Sequence, residues 1–210
     1  MQSGMPHALA TWAFISRLGE AQIVLPLALV PVLARVREIE VRSAAVRWFA
    51  FLALAILVTT ATKVAFIGWG LGSARLDFTG ISGHTMFATA VYPVLLSRVN
   101  ARSRAVGLAA GCALAFLIGC SRLELGAHSL SEVVAGWLVG GAACVGALAR
   151  SAPLAPRFGA AVPIVLALWL SLMPAAAPAS NTHSMVTRLA LTLSGHAQPH
   201  TRDELQGGAR

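Results

Sequence analysis

The chain has 210 residues, of which 57% are hydrophobic and 11% charged, with a formal net charge of +8 and a mean hydropathy of +0.73. A soluble domain carries roughly a quarter charged residues, so this balance argues against a soluble enzyme and for a membrane protein. The positive charge does not point to nucleic acid, because the arginines stand in short clusters between apolar runs and aromatics are sparse.

In chain order, Pro6 to Leu18 mixes Trp12, Phe14 and Ile15 with His7 and Arg17, the pattern of an interfacial amphipathic helix. No basic stretch leads into an apolar run and a cleavage site there, so no removable signal peptide is expected. Six apolar segments follow: Ala21 to Val36, Trp48 to Gly70, Ser82 to Leu96, Ala105 to Cys120, Leu130 to Ala149 and Gly159 to Ala177. Several are shorter than the roughly 20 residues of a perpendicular span. In lipid the backbone must satisfy its own hydrogen bonds, so spans are expected to be helices. The fold expected is an all-α polytopic membrane bundle: an N-terminal interfacial segment over 1–20, about six transmembrane helices over 21–179, and a polar tail over 180–210. Cys112, Cys120 and Cys144 lie in or beside apolar segments without CxxC spacing and read as small packing residues.

Orientation follows from basic residues in the connections. Arg35, Arg37, Arg42 and Arg47 follow the first segment, Arg98, Arg102 and Arg104 the third, and Arg150 and Arg157 the fifth. The alternate connections carry Lys63, Arg75 and Arg122. Excess Lys and Arg marks the cytoplasmic side, which puts these three residues and both termini outside.

The outward connections also hold the histidines that stand between spans. Lys63 ends the second segment and Arg75 follows it, Ser82-Gly83-His84 opens the third, and Ser121-Arg122, His128 and Glu132 lead into the fifth. Each is weak alone. A second Ser-Gly-His, Ser194-Gly195-His196, stands in the tail without basic partners, and an Arg or Lys near a helix end is commonly a snorkelling anchor. Together they suit phosphoryl transfer, which needs cations and N–H donors around three oxygens, an in-line nucleophile and an acid for the leaving group. Lys63, Arg75 and Arg122 can supply charge, with guanidinium forks for paired oxygens. The backbone N–H groups of Ser82 and Gly83, ahead of a helix, can face an anion. Two histidines can divide the nucleophile and acid roles.

This set resembles the type-2 phosphatidic acid phosphatase superfamily, which includes undecaprenyl-diphosphate phosphatases and vanadium haloperoxidases. The family pattern is a Lys followed by Arg-Pro, then Pro-Ser-Gly-His, then Ser-Arg with His after five residues and Asp after three more. Here Ser121-Arg122, His128 and Glu132 keep the third spacing with Glu for Asp, Ile81 replaces the proline of the second motif, and Leu76 follows Arg75 where the first has proline. Lys63 and Arg75 also stand further apart than in the family pattern. The likeness covers roughly Lys63 to Ala149. It implies that His128 attacks phosphorus to form a phosphohistidine, Glu132 holds its imidazole, and His84 protonates the leaving oxygen. Lys63, Arg75, Arg122, Ser82 and the Gly83 backbone would bind phosphate, and no metal or other cofactor would be needed.

Some alternatives stay open. Ser129-x-x-Glu132 is also a capping box, in which Glu132 would bond the Ser129 backbone, and Glu124 could compete as the group that orients His128. Asp77 reads as an ion-pair or turn residue, and His7, His183, His196 and His200 as solvated or at the headgroups. The expected partners are the bilayer and a lipid phosphate or diphosphate. Undecaprenyl diphosphate comes first, then phosphatidate or phosphatidylglycerol phosphate, met at the outer face of the inner (plasma) membrane. A vanadate-dependent peroxidase would share the anion site, but the family members with that activity are soluble. A small transporter or a non-catalytic assembly partner would place its charges near mid-span, whereas His84, Arg122 and His128 stand at span ends.

Overall fold

The structure, a computed structural model, describes residues 5–33, 37, 39–99, 103–149, 161–176 and 181–207. Its elements are α1 (Met5–Arg17), α2 (Ala21–Leu33), α3 (Ile39–Trp69), α4 (Gly83–Val99), α5 (Arg104–Glu124), α6 (Leu130–Leu148), α7 (Ala161–Ala176), α8 (Thr182–Ser194) and α9 (Arg202–Gly207). Each of the six apolar segments is helical over most of its described length. Among the described residues, three helices are individually long and apolar enough to cross a bilayer: α3 over Val41–Trp69, α5 and α6. Their outward faces carry exposed Leu54 and Leu57, Phe116 and Leu117, and Leu138 and Val145, as lipid contact requires. An all-α membrane bundle is the architecture. Val36, Gly159, Ala177 and Ser180, at segment ends, and Arg35, Arg102, Arg150 and Arg157 lie outside the described residues.

The third apolar segment forms the centre. Met86, Val91, Tyr92 and Leu95 of α4 are almost wholly buried, and α4 packs chiefly against α5 on one side and α6 on the other. Glycine permits both contacts. A Cβ on Gly107 or Gly111 of α5 would lie 2.1 Å from the Leu96 carbonyl oxygen or 2.4 Å from Pro93 Cα, and one on Gly140 of α6 would lie 2.5 Å from the Met86 carbonyl oxygen. Gly107 and Gly111, like Gly136 and Gly140, are four apart, the small-residue spacing that lets membrane helices meet backbone to backbone.

Two elements differ from expectation. Helix α3 begins at Ile39 instead of Trp48, because no Gly or Pro interrupts the stretch that carries Arg42 and Arg47 and the helix continues through it. The N-terminal helix is peripheral only at its start. Its end enters the bundle, where Ser16 and Gly19 are buried and the Tyr92 hydroxyl donates to the Leu18 carbonyl at 2.6 Å.

The ends of α3 and α5 meet the starts of α4 and α6 at one pole. Arg47, Arg98 and Arg104 gather at the other, where Arg98 stands close enough to feel both neighbours. The C-terminal segment returns to the first pole. Helix α8 lies along α3, and Val186, Ala190 and Leu205 pack with Val64, Phe66 and Ile67 in a small second core.

Candidate active site

The Ser-Arg-x5-His spacing has a local cause. Helix α5 ends in a fold-back at Gly126, whose φ of 60° is left-handed and suits glycine. The Arg122 carbonyl then accepts from the N–H groups of Ala127, at 3.0 Å, and His128, at 3.3 Å. The chain is thereby doubled over, so both side chains line one cavity. Ser129 starts α6 as its N-cap.

Glu132 is fully buried one turn into α6. Its Oε2 lies 2.6 Å from His128 Nδ1 and accepts from the Ser129 N–H at 3.2 Å. Its Oε1 accepts from the Thr79 N–H at 2.7 Å, the Thr79 hydroxyl at 2.6 Å and an Arg202 guanidinium nitrogen at 2.8 Å. The two readings of Glu132 are therefore compatible: one oxygen both closes the capping box and meets the imidazole. Glu124 is exposed on the last turn of α5 and does not compete. Burial lowers the His128 pKa below the ordinary histidine value, with nearby Lys63 and Arg122 acting in the same direction, while the hydrogen bond to Glu132 and its charge oppose the shift.

Lys63, Gly83, His84, Arg122 and His128 line a cavity of about 610 Å³. Its other walls include Ile56, Phe66, Ile67, Met86 and Phe87, and, from the C-terminal segment, His183, Val186 and Thr187. Gly80 presses on Lys63: at its φ of 145°, a Cβ would sit 2.7 Å from Lys63 Cγ. His84 stands within electrostatic reach of Arg122, Lys63 and His128, and the backbone of Gly19 fits against its Cβ. Arg122 donates one terminal nitrogen to the buried Ser16 hydroxyl, and its buried Nε has no protein partner among the described residues.

Two expected phosphate ligands are placed differently. Ser82 is completely buried. Its N–H donates to the Glu132 carbonyl at 3.1 Å and its hydroxyl accepts from Thr85 at 2.9 Å, so it ties α4 to α6 and does not line the cavity. Gly83, with open space where a Cβ would be, remains beside the cavity. Arg75 is exposed in the connection between α3 and α4 and is absent from the cavity wall. A paired backbone exchange between Ser73 and Phe78 folds that connection tightly, with Asp77 at a left-handed φ of 48°. This turn aims Thr79 at Glu132 and leaves Arg75 on the outside. Arg75→Ala is accordingly expected to stay within about threefold of wild-type turnover, as a surface change away from the site does. A phosphatase assay showing a loss of a hundredfold would return Arg75 to the site.

Thr79 and Arg202 were not singled out by the sequence. Thr79 lies next to the Ser-Gly-His motif but matches no pattern. Arg202 had one signal, the capping box Thr201-x-x-Glu204, which starts α9: the Thr201 N–H donates to Glu204 at 2.9 Å. Asp77 is both a turn residue and an ion-pair partner, although its partner is Arg202, at 2.8 Å, and not Arg75. Of the terminal histidines, His7 and His183 are exposed, His196 Nδ1 lies 2.8 Å from the Gly68 carbonyl oxygen, and the His200 N–H donates to the Ile67 carbonyl at 3.0 Å.

Among known proteins, the chain is 37% identical over 135 residues to an uncharacterized 22.5 kDa protein in the cps region of Klebsiella pneumoniae. That match takes in 62% of this chain and 65% of the relative, so the chain spans slightly less than two thirds of the relative's length. No solved structure matches. The family model of the PAP2 superfamily matches residues 8–153, which contain Lys63, Arg75, Ser82-Gly83-His84 and the Ser121 to Glu132 motif, and this extent shows that the chain belongs to the PAP2 superfamily.

Proposed function

We propose that this chain is an integral-membrane phosphatase that hydrolyses a lipid phosphate or diphosphate through a phosphohistidine, with undecaprenyl diphosphate as the first candidate substrate. The observation that carries this reading is the shared cavity. His128, braced by buried Glu132, faces the same space as His84, Lys63 and Arg122, and Ile56, Phe66, Met86 and Phe87 give one part of the wall an apolar surface.

The chemistry follows from these positions. Nδ1 of His128 is engaged by Glu132, so Nε2 is the attacking nitrogen. It forms a bond to phosphorus as the bond to the leaving oxygen breaks, and His84 gives that oxygen its proton. Glu132 offsets the positive charge that the phosphorylated imidazole gains. Lys63, the Arg122 guanidinium with its unpartnered Nε and the Gly83 N–H bind the phosphoryl oxygens. Water then attacks phosphorus, the phosphorus–nitrogen bond breaks, and His84, now unprotonated, takes the proton of that water. Ile56, Phe66, Met86 and Phe87 offer the first carbons of the lipid an apolar wall.

The test is phosphate release by the purified protein in detergent from polyprenyl diphosphate, phosphatidate, phosphatidylglycerol phosphate and p-nitrophenyl phosphate. Release from at least one lipid is expected, and none from any substrate overturns the reading. The outer-face placement rests on the excess of arginine at the pole opposite the cavity, where Arg47, Arg98 and Arg104 gather. A cysteine label at Gly126 is expected to react with an impermeant reagent added outside, and one at Arg104 only after the membrane is opened. The reverse pattern puts the site in the cytoplasm.

A further inference from the structure

We propose that Arg202, supplied by the C-terminal segment, is a positioning residue of the phosphoryl-transfer site, holding Glu132 by the oxygen opposite His128 and balancing its charge. The inference rests on the function proposed above and adds a residue from beyond the family-matched region, which ends at residue 153.

The geometry is a relay across one carboxylate. Arg202 donates to Glu132 Oε1 at 2.8 Å, to the Thr79 hydroxyl at 3.2 Å and to Asp77 Oδ2 at 2.8 Å, while Glu132 Oε2 meets His128 Nδ1 at 2.6 Å. Glu132 is fully buried, whereas the side chains of Arg202 and Asp77 keep 32% and 37% of their exposure, so Arg202 is the cation that reaches in to the carboxylate from the solvent side. A buried carboxylate needs a charged partner or several donors, and Arg202 is the one fixed cation hydrogen-bonded to Glu132 among the described residues. Three of its five N–H donors go to Asp77, Thr79 and Glu132; Arg202 also borders the cavity, so a split between kcat and KM separates positioning from direct contact with phosphate.

The segment is built to hold this arginine. The Thr201–Glu204 capping box starts α9, Leu205 packs into the second core with Phe66 and Ile67, and Gln206 donates to Asp77 Oδ1 at 2.9 Å. His196 and the His200 backbone bond the last carbonyls of α3.

The charges acting on His128 are Glu132 on its own side and Lys63 and Arg122 across the cavity, with His84 also within reach. With Arg202 neutralised, the Glu132 charge is less compensated and stabilises the imidazolium more. The acid limb of the pH–rate profile should then move to higher pH. If Arg202 merely staples the tail, loosening the tail by other means should have the same effect as removing Arg202.

The experiment compares Arg202→Gln, Arg202→Lys and Leu205→Ala in the full-length protein in detergent, with p-nitrophenyl phosphate and a polyprenyl diphosphate as probes. Titration of the substrates is common to all variants and cancels. Arg202→Gln is expected to lower kcat by about 10- to 100-fold, as loss of a partner behind a functional ligand does, with KM nearly unchanged and the acid limb raised by about half a pH unit or more. Arg202→Lys keeps the charge and is expected to recover part of kcat and leave the limb near wild type. Leu205→Ala is expected to lower the melting temperature without moving the limb. An unmoved limb and wild-type kcat in a folded Arg202→Gln protein overturn the proposal, as does an effect confined to KM, which would make Arg202 a substrate ligand. Equal changes in Arg202→Gln and Leu205→Ala overturn it in favour of a staple. A wild-type protein inactive on every probe fails the proposed function itself, a result distinct from these.

Discussion

His128→Ala is expected to reduce turnover by about 10⁵-fold or more, as loss of a nucleophile does, and to leave no acid-quenched phosphoenzyme. The reason is geometric. Of the histidines that line the cavity, His84, His128, His183 and His200, His128 is the one braced by a fully buried carboxylate, at 2.6 Å. His84 shares the cavity, and the negative charge of a bound phosphate beside it would favour the protonated form that the acid role needs. His84→Ala should therefore lose about 10²- to 10⁴-fold on an alkyl phosphate ester, whose leaving oxygen must be protonated, and much less on p-nitrophenyl phosphate, whose leaving group departs as the anion. Equal losses on both substrates would remove His84 from the acid role. The pH dependence has a fixed sign. Attack needs neutral His128, and burial lowers its pKa from 6.5. His128, the proposed nucleophile, therefore stays unprotonated to a lower pH than a free histidine would, and the acid limb of kcat/KM is expected below about pH 6.5. A limb well above that value would mean that the Glu132 charge outweighs burial.

The fold was legible because lipid leaves a long apolar run few choices; the four-residue spacing of Gly107 and Gly111 and of Gly136 and Gly140 takes its meaning only from the close helix contacts of the structure. The third motif was legible because its spacing is enforced locally, by a helix end, a left-handed glycine and an N-cap within twelve residues of chain, from Ser121 to Glu132. What escaped was non-local. The N–H of Ser82 appeared available to an anion because nothing in its own sequence shows that the Glu132 carbonyl, far along the chain, takes it. Arg75 was grouped with the site by position between spans, but the Ser73–Phe78 turn decides which side chain of that connection points inward, and it selects Thr79. Arg202 stands 70 residues from Glu132, and although the polar tail carries a short apolar patch around Val186 to Leu193, nothing in it says which helix that patch meets. The choice between a capping and an orienting Glu132 dissolves for a related reason: a carboxylate has two oxygens with several lone pairs, and sequence spacing does not say how many are used.

Glu132→Gln is expected to be the most informative single substitution. The five groups around the carboxylate are the Ser129 and Thr79 backbone N–H groups, the Thr79 hydroxyl, Arg202 and His128 Nδ1, and the first four donate to it. An amide of the same shape offers one acceptor and one donor, so in either orientation an N–H faces this ring of donors. With the amide nitrogen toward His128, the imidazole adapts by accepting at Nδ1, which places its proton on Nε2 and blocks the attacking nitrogen. With the amide nitrogen toward Thr79 and Arg202, His128 keeps its tautomer but Arg202 loses its ion pair, and the phosphorylated imidazole loses its counter-charge. Both routes predict a severe loss, approaching the roughly 10⁴-fold seen when the triad carboxylate of a serine protease becomes an amide. Glu132→Asp restores the family's residue and the charge with one methylene less of reach, and should keep at least tenfold more activity than Gln. Melting temperature must be followed in parallel, because the capping box contributes about 1 kcal/mol and its loss by itself slows turnover little. A Glu132→Gln protein that is stably folded and fully active would show that the carboxylate only caps α6, and that His128 attacks without a charged partner.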